Sequence, residues 1–376
     1  MSTTPEPDAI LEPPAPEVKR YARRKIGAVV AAVVLNGIGL AVFALLLGPR
    51  IHDRIFPLVG DQRWWQLIIV AFVLTATLEA LTLPIDFWSG FLLEHRYQLS
   101  NQSLGRWLWK RIKGYLVGGP LGLALVLGLY AVIWYGGTWW WAWATAGWLA
   151  VTLLLGRIAP VLILPLFFKV TPLDDPSLVE RLRRLAEGTG LTVAGVYRLH
   201  LSADTKKANA ALTGLGKSRR VLLGDTLLEQ FTPEEIEVVF AHEVGHHVHR
   251  HLPKMIVWSV VVSAVGFFLV DTVLRWLAPR LGYVSFDQPA ALPLVLLWLA
   301  LLGFLLAPLN NAISRFFERQ CDRYALRRTG FVDAYRSAFA KLAKLNKSDP
   351  DPHPLVVWLL YDHPPIRERI ALADEA

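Results

Sequence analysis

Six long apolar runs, at residues 26–47, 64–84, 114–135, 139–168, 255–274 and 290–309, punctuate the chain. Each reaches the roughly 20 residues that a helix needs to cross a bilayer. The first, third and sixth carry no charge; the second carries only Glu79 and the fifth only Asp271. The fourth is interrupted by Arg157, Pro160 and Pro165, which predicts a helix that is kinked or partly covered by protein. The pattern changes in 169–254 and 310–376, where polar residues return. Residues 177–188 follow a helical period and 193–199 read as a strand. Residues 208–212 and 221–223 flank the turn-rich Gly214-Leu215-Gly216-Lys217 as a hairpin. Thr232-Pro233-Glu234-Glu235 then opens a helix with an N-cap Thr, a first-turn Pro and a Glu three residues on. Ile236, Val239 and Phe240 form its apolar face.

The expected fold class is therefore a polytopic α-helical membrane protein of about six spans, with a mostly α soluble part carrying a small β-hairpin or sheet. Its expected organisation is a disordered tail (1–18), spans one to four (19–168, with a loop at 88–113), a soluble part (169–254), spans five and six (255–309) and a C-terminal soluble part (310–376).

Composition supports this division. The chain is 54% hydrophobic and only 19% charged, with mean hydropathy +0.38, more apolar than a water-soluble domain of this size. The excess faces a lipid bilayer. A net charge of +8 does not imply nucleic acid, because no basic stripe or aromatic-basic module is present. The cations instead gather beside the apolar runs. Lys19, Arg20, Arg23, Arg24 and Lys25 precede the first, and Arg96, Arg106, Lys110, Arg111 and Lys113 separate the second from the third. Another basic group follows the fourth, whereas Gly136-Gly137-Thr138 between the third and fourth is uncharged. This bias places both termini and both soluble stretches on the cytoplasmic side, against a weaker opposing signal from Arg50, Arg54 and Arg63. Glu79 inside the second span reads either as facing a hydrated cavity or as locking helices together. The single cysteine, Cys321, excludes an intramolecular disulfide.

Inside the capped helix stands Ala241-His242-Glu243-Val244-Gly245-His246-His247. Residues four apart share a helix face, so His242 and His246 can point at one ion, and imidazole suits Zn²⁺. Glu243, beside the pair, can serve as general base towards an attacking water. The bland alternative is a His-rich surface helix end, given His247, His249 and His251. A third ligand is needed. Glu318 supplies it, with Asp322 four residues on as acceptor for a ligand's imidazole N–H and as a candidate proton donor to the leaving group. His246 lies nine residues before the fifth run, and Glu318 nine after the sixth, so the two sit at matching depth on one hairpin. Cys321 between the acids reads as a packing residue. His363, followed by Pro364-Pro365, and Arg369 are candidates to stabilise the oxyanion, with Arg369 also able to hold a substrate carboxylate or one of the site's own acids.

These motifs resemble the type I CAAX prenyl protease family of integral-membrane zinc endopeptidases. The resemblance runs from about residue 80 onward. It includes Phe91 to Tyr97 with Leu99-Ser100-Asn101-Gln102, Leu164-Pro165-Leu166-Phe167-Phe168, Ala208-Asn209-Ala210 and Arg219 to Leu223. The zinc motif, Ser314 to Asp322, and His363-Pro364-Pro365 with Glu368-Arg369-Ile370 complete it. It implies one Zn²⁺ per chain, a peptide or membrane-protein substrate, and an edge strand at Asn209 and Ala210 that pairs with the substrate backbone. The chain departs from the family at Lys207, where a Ser or His is usual, and at Cys321, where Ala is usual. Residues 355–360 are too short for the extra span some members have. A heat-shock-type quality-control protease is the alternative within the same chemistry. A transporter with an accidental zinc motif is the alternative outside it, and the register of Glu318 argues against that.

Overall fold

The computed structural model describes residues 15–191, 194–214 and 219–375, without the side chains of 52–55 and 58–59. The tail before residue 15 and most of the turn at 214–217 lie outside the described residues. Six helices long and apolar enough to span a membrane are present among the described residues. They are α1 (Pro16–Ile51), α2 (Arg63–Arg96), α3 (Leu104–Tyr135), α4 (Gly137–Phe167), α7 (His251–Arg280) and α8 (Pro289–Thr329). Each corresponds to one apolar run, and all but α4 contain the whole of it. Residues 16–18, read from sequence as tail, form the first turn of α1 because Pro16 and Glu17 suit a helix start. The segment 88–113, expected as a loop, is helical except at 97–103. In α4 the winding loosens to a π-type turn over Ala159–Ile163, as Pro160 demands. The most apolar stretch of α4 contains no buried residue.

The spans pack around Leu67, Tyr130, Trp140, Val270, Leu274 and Leu292, all fully buried. Asp271 accepts from Trp140 Nε1 and pairs with Arg275. Glu79 is paired as well: Arg111 and Tyr115 of α3 both reach its Oε2 at 3.0 Å. It therefore joins α2 to α3, while its side chain stays 44% exposed.

The soluble stretch contributes α5 (Pro176–Ala186), α6 (Pro233–Val248) and a four-stranded sheet of order β1-β2-β4-β3. The strands are β1 (Val170–Pro172), β2 (Gly195–Leu199), β3 (Ala210–Thr213) and β4 (Arg220–Gly224). The hairpin read from sequence is present as the antiparallel β3–β4 pair, with Leu212 opposite Val221. β2 runs parallel to β4, and β1 closes the other side. β1 has only three residues, too few for an alternating pattern to announce it. β3 is the free edge nearest the zinc motif.

Loop residues 99–102 dock on the chain just before β3. Asn101 N donates to Asp204 O, Lys206 N to Leu99 O, and Asn101 Nδ2 to Ser202 O. The Asp204 carboxylate takes Arg106 and Lys110 from the first turns of α3. The Leu99-Ser100-Asn101-Gln102 motif thus anchors the edge strand to the membrane helices. The C-terminal part adds α9 (Val332–Asn346), α10 (Pro354–Leu360) and α11 (Ile366–Ala371).

Candidate metal centre

Two helices build the site. α6 starts with its capping box complete: Thr232 Oγ1 accepts from Glu235 N, and Glu235 Oε2 accepts from Thr232 N at 2.8 Å. Glu235 also takes Lys341 and Ser337, fixing α6 to α9. α8 continues unbroken through Pro308, so one rod carries both the sixth span and Glu318. α6 and α8 approach closely at Gly245: a Cβ there would stand 3.0 Å from Cys321 Cα. Glycine in the zinc motif therefore lets the two helix backbones touch.

At that crossing His242 Nε2 lies 3.1 Å from Glu318 Oε2, and His246 Nε2 lies 3.3 Å from Glu318 Oε1. Glu318 is only 4% exposed, and its Oε2 has no hydrogen-bond donor. Three potential ligand atoms thus converge on one point, as the ligands of a metal ion would.

The back of each imidazole is also held. His242 Nδ1 meets Asp322 Oδ1 at 2.8 Å. Asp322 is fully buried and takes Arg369 in a two-point contact, Nε to Oδ2 at 2.9 Å and Nη2 to Oδ1 at 2.7 Å. With Nδ1–H given to Asp322, Nε2 of His242 presents a lone pair to Glu318. Burial alone would lower the His242 pKa; Asp322 and Glu318 outweigh it and lift it to about 9. The two carboxylates thus favour a cation at this point, whether a proton on His242 Nε2 or a metal ion in its place.

His246 is backed by His251, Nδ1 to Nδ1 at 3.1 Å. His251 Nε2 meets Gln320 Oε1 at 2.9 Å, and its ring stacks on Phe317. A donor from His251 to Gln320 leaves Nδ1 free to accept from His246, whose Nε2 then also faces Glu318 unprotonated. In the sequence His251 figures only in the bland alternative of a His-rich surface helix end. It is 3% exposed, because Arg250 in left-handed backbone (φ 54°) turns the chain and folds it back under α6. Only a histidine following such a corner could have signalled this.

Cys321 is a competing donor. Its ligand atom and those of His242 and His246 lie within 4.8 Å of one another. Glu318 lies 3.1 and 3.3 Å from the two Nε2 atoms and is anionic, whereas the Cys321 thiol packs beneath Gly245 and 3.6 Å from His251 Nδ1. The geometry favours Glu318.

Glu243 turns to the sheet, its Oε2 accepting from Leu212 N at 3.2 Å. Alternate residues of an edge strand point their backbone groups outward, and Leu212 and Ala210 are the outward pair here. Asn209 presents an exposed side chain, but its carbonyl turns inward to Gly224 N. His363 approaches from the C-terminal part, Nε2 3.4 Å from Glu318 Oε2 and Nδ1 on Asp362 at 2.8 Å. The Asp362 hydrogen bond, with Glu318, raises the His363 pKa against burial. Pro365, not His363, occupies the N-cap of α11. Arg369 is spent on Asp322 and otherwise approaches Glu318 at 3.7 Å, so of the roles open to it from sequence it serves the site's own acids. A cavity of about 910 Å³ opens beside His246, bordered by Arg219, His247, Tyr324 and Arg328.

Six membrane-length helices and a buried His-His-carboxylate centre define a membrane metalloprotease. The chain belongs to peptidase family M48, whose description matches residues 172–376, while the CAAX prenyl protease N-terminal family of five membrane helices matches residues 17–169. It is similar to an uncharacterized metalloprotease, YhfN, of Bacillus subtilis, with 31% identity over 83% of this chain and 74% of the relative. A CAAX prenyl protease 1 homolog of Arabidopsis thaliana is 31% identical over 78% of this chain and 69% of its own length. CAAX prenyl protease 1 of Saccharomyces cerevisiae is 29% identical over 78% and 68%. The crystal structure of S. mikatae Ste24p shares the fold, with TM-score 0.81 at 24% identity over 98% of this chain and 94% of that one.

Proposed function

We propose that this chain is a zinc endopeptidase of the CAAX prenyl protease type, with one Zn²⁺ held by His242, His246 and Glu318. The observation that carries this is the buried Glu318 carboxylate, whose donorless Oε2 faces His242 Nε2 and whose Oε1 faces His246 Nε2. Three nitrogen and oxygen ligands with one open position are the donor set of a catalytic zinc. The ion would supply Lewis acidity to the scissile carbonyl and to water. Stretches 169–254 and 310–376 form one catalytic unit around the hairpin of spans five and six, on the cytoplasmic side.

The remaining chemistry belongs to the protein. A substrate segment adds to the open edge of β3, bonding to the backbone of Ala210 and replacing Glu243 on Leu212 N, while the exposed Asn209 side chain contacts it. Glu243 takes the proton of the attacking water and returns it to the leaving amine. His363, oriented by Asp362, donates from Nε2 to the negative oxygen that develops. Asp322 and Arg369 hold His242 in its ligating tautomer. The relatives named CAAX prenyl protease 1 support prenylated peptides carrying a CAAX motif as the substrate class.

Glu243→Gln should retain zinc but lose activity by ~10²–10⁴-fold. Glu318→Ala should lose zinc and activity together. Metal analysis showing zinc lost from Glu243→Gln in step with activity would overturn the division between base and ligand.

A further inference from the structure

We propose that a cleft between the start of α1 and the end of α2 binds the phosphate group of an anionic membrane lipid. The cleft measures about 320 Å³ and is lined by Arg20, Arg24, Arg96, Lys347, Tyr97 and Glu17, among others. Its one acid is already engaged: Glu17 Oε1 takes Lys347 Nζ at 2.7 Å. Arg24 reaches only the Tyr97 hydroxyl, at 3.5 Å. Among the described residues Arg20 and Arg96 have no hydrogen-bond or ion-pair partner. Neighbouring cations that turn inward do find acids, since Lys25 and Lys207 share Glu94. Among the described residues, three guanidinium groups therefore share one cleft whose single acid, Glu17, is already held by Lys347.

Position selects the ligand. Arg20 and Arg24 sit in the first turns of α1, just before its apolar run, and Arg96 ends α2. That is the level at which lipid headgroups lie, and cationic side chains there attract anionic headgroups. Lys347, in left-handed backbone at the end of α9, closes the cleft from the soluble side. Arginine offers paired N–H donors that match phosphate oxygens, and the Tyr97 hydroxyl adds another. A bound headgroup would tie both spans to the soluble layer. The plainer account is diffuse attraction by positive flanks, which depends on the number of charges and not on their place.

That difference is the test. The full-length protein in neutral-lipid nanodiscs is titrated with dioctanoyl phosphatidic acid, and separately with inorganic phosphate. Arg20→Gln/Arg96→Gln is compared with Lys19→Gln/Arg23→Gln, which removes the same charge from α1 outside the cleft. The cleft pair should weaken phosphatidate binding roughly tenfold or more, as loss of two charge-assisted donors does, and the control pair should leave it near wild type. Thermal unfolding verifies the fold; if the double variant fails to fold, Arg96→Gln alone should weaken binding by a smaller factor. Equal weakening in both pairs, or no saturable binding by the wild type, overturns the site. Inorganic phosphate binding as tightly as the lipid overturns the lipid assignment.

Discussion

His242 and His246 share one task but are oriented by different chemistry. Asp322, itself clamped by Arg369, holds the first; the neutral chain of His251 and Gln320 holds the second. The first arrangement was legible, because Asp322 lies four residues beyond Glu318 on the same helix face. The second was not, because burial of His251 depends on the Arg250 corner and on Phe317 of another helix. His363 marks the remaining role at this scale. It is half exposed, fixed by Asp362, and its free nitrogen points towards the centre. Removing a single oxyanion donor typically costs ~10²–10³ in kcat. His363→Ala should show that loss at saturating substrate with zinc content unchanged and KM little altered. Near-normal kcat with a raised KM would leave His363 only a substrate-docking role.

The crossing of α6 with α8 decides whether the ligands meet at all. Equal offsets of His246 and Glu318 from their spans were readable from sequence, as was the capping box that fixes where α6 begins. The continuity of α8 through Pro308 was not, because a proline within an apolar run signals a bend as readily as a tolerated interruption. The closeness of the helices was hidden too, since it depends on what lies opposite Gly245. A methyl at Gly245 would meet Cys321 backbone at 3.0 Å, too close without a shift of the helices. Gly245→Ala should therefore destabilise the protein by about 1–3 kcal/mol, even though alanine favours a helix by about 1 kcal/mol. The same shift moves both histidines away from Glu318, so bound zinc should fall as well. A variant with a higher melting temperature and full zinc content would show that the helices do not need this approach.

Across the whole molecule, charge distribution and contacts supply different halves of the orientation argument. The contacts are relative: the 99–102 segment, between α2 and α3, docks on 202–206 beside the edge strand, and Asp204 binds Arg106 and Lys110 at the start of α3. The catalytic sheet therefore lies at the N-terminal end of α3. The turn at Gly137 follows the other end, 32 helical residues away. At 1.5 Å per residue that is roughly 48 Å, more than the ~30 Å hydrocarbon thickness. The sheet and this turn must then occupy opposite sides of the bilayer. Contacts alone do not say which side is cytoplasmic; the proposed cytoplasmic placement of the protease rests on the cations before α1 and between α2 and α3, against the uncharged 136–138. Cysteine placed at Thr138 should react with a membrane-impermeant thiol reagent added to intact cells. Cysteine at the exposed Lys206 should react only after the membrane is opened. The native Cys321 is buried and should give little background in either case. Labelling of both positions in intact cells would break the two-sided arrangement, whereas the reverse pattern would keep it and place the protease on the outer face.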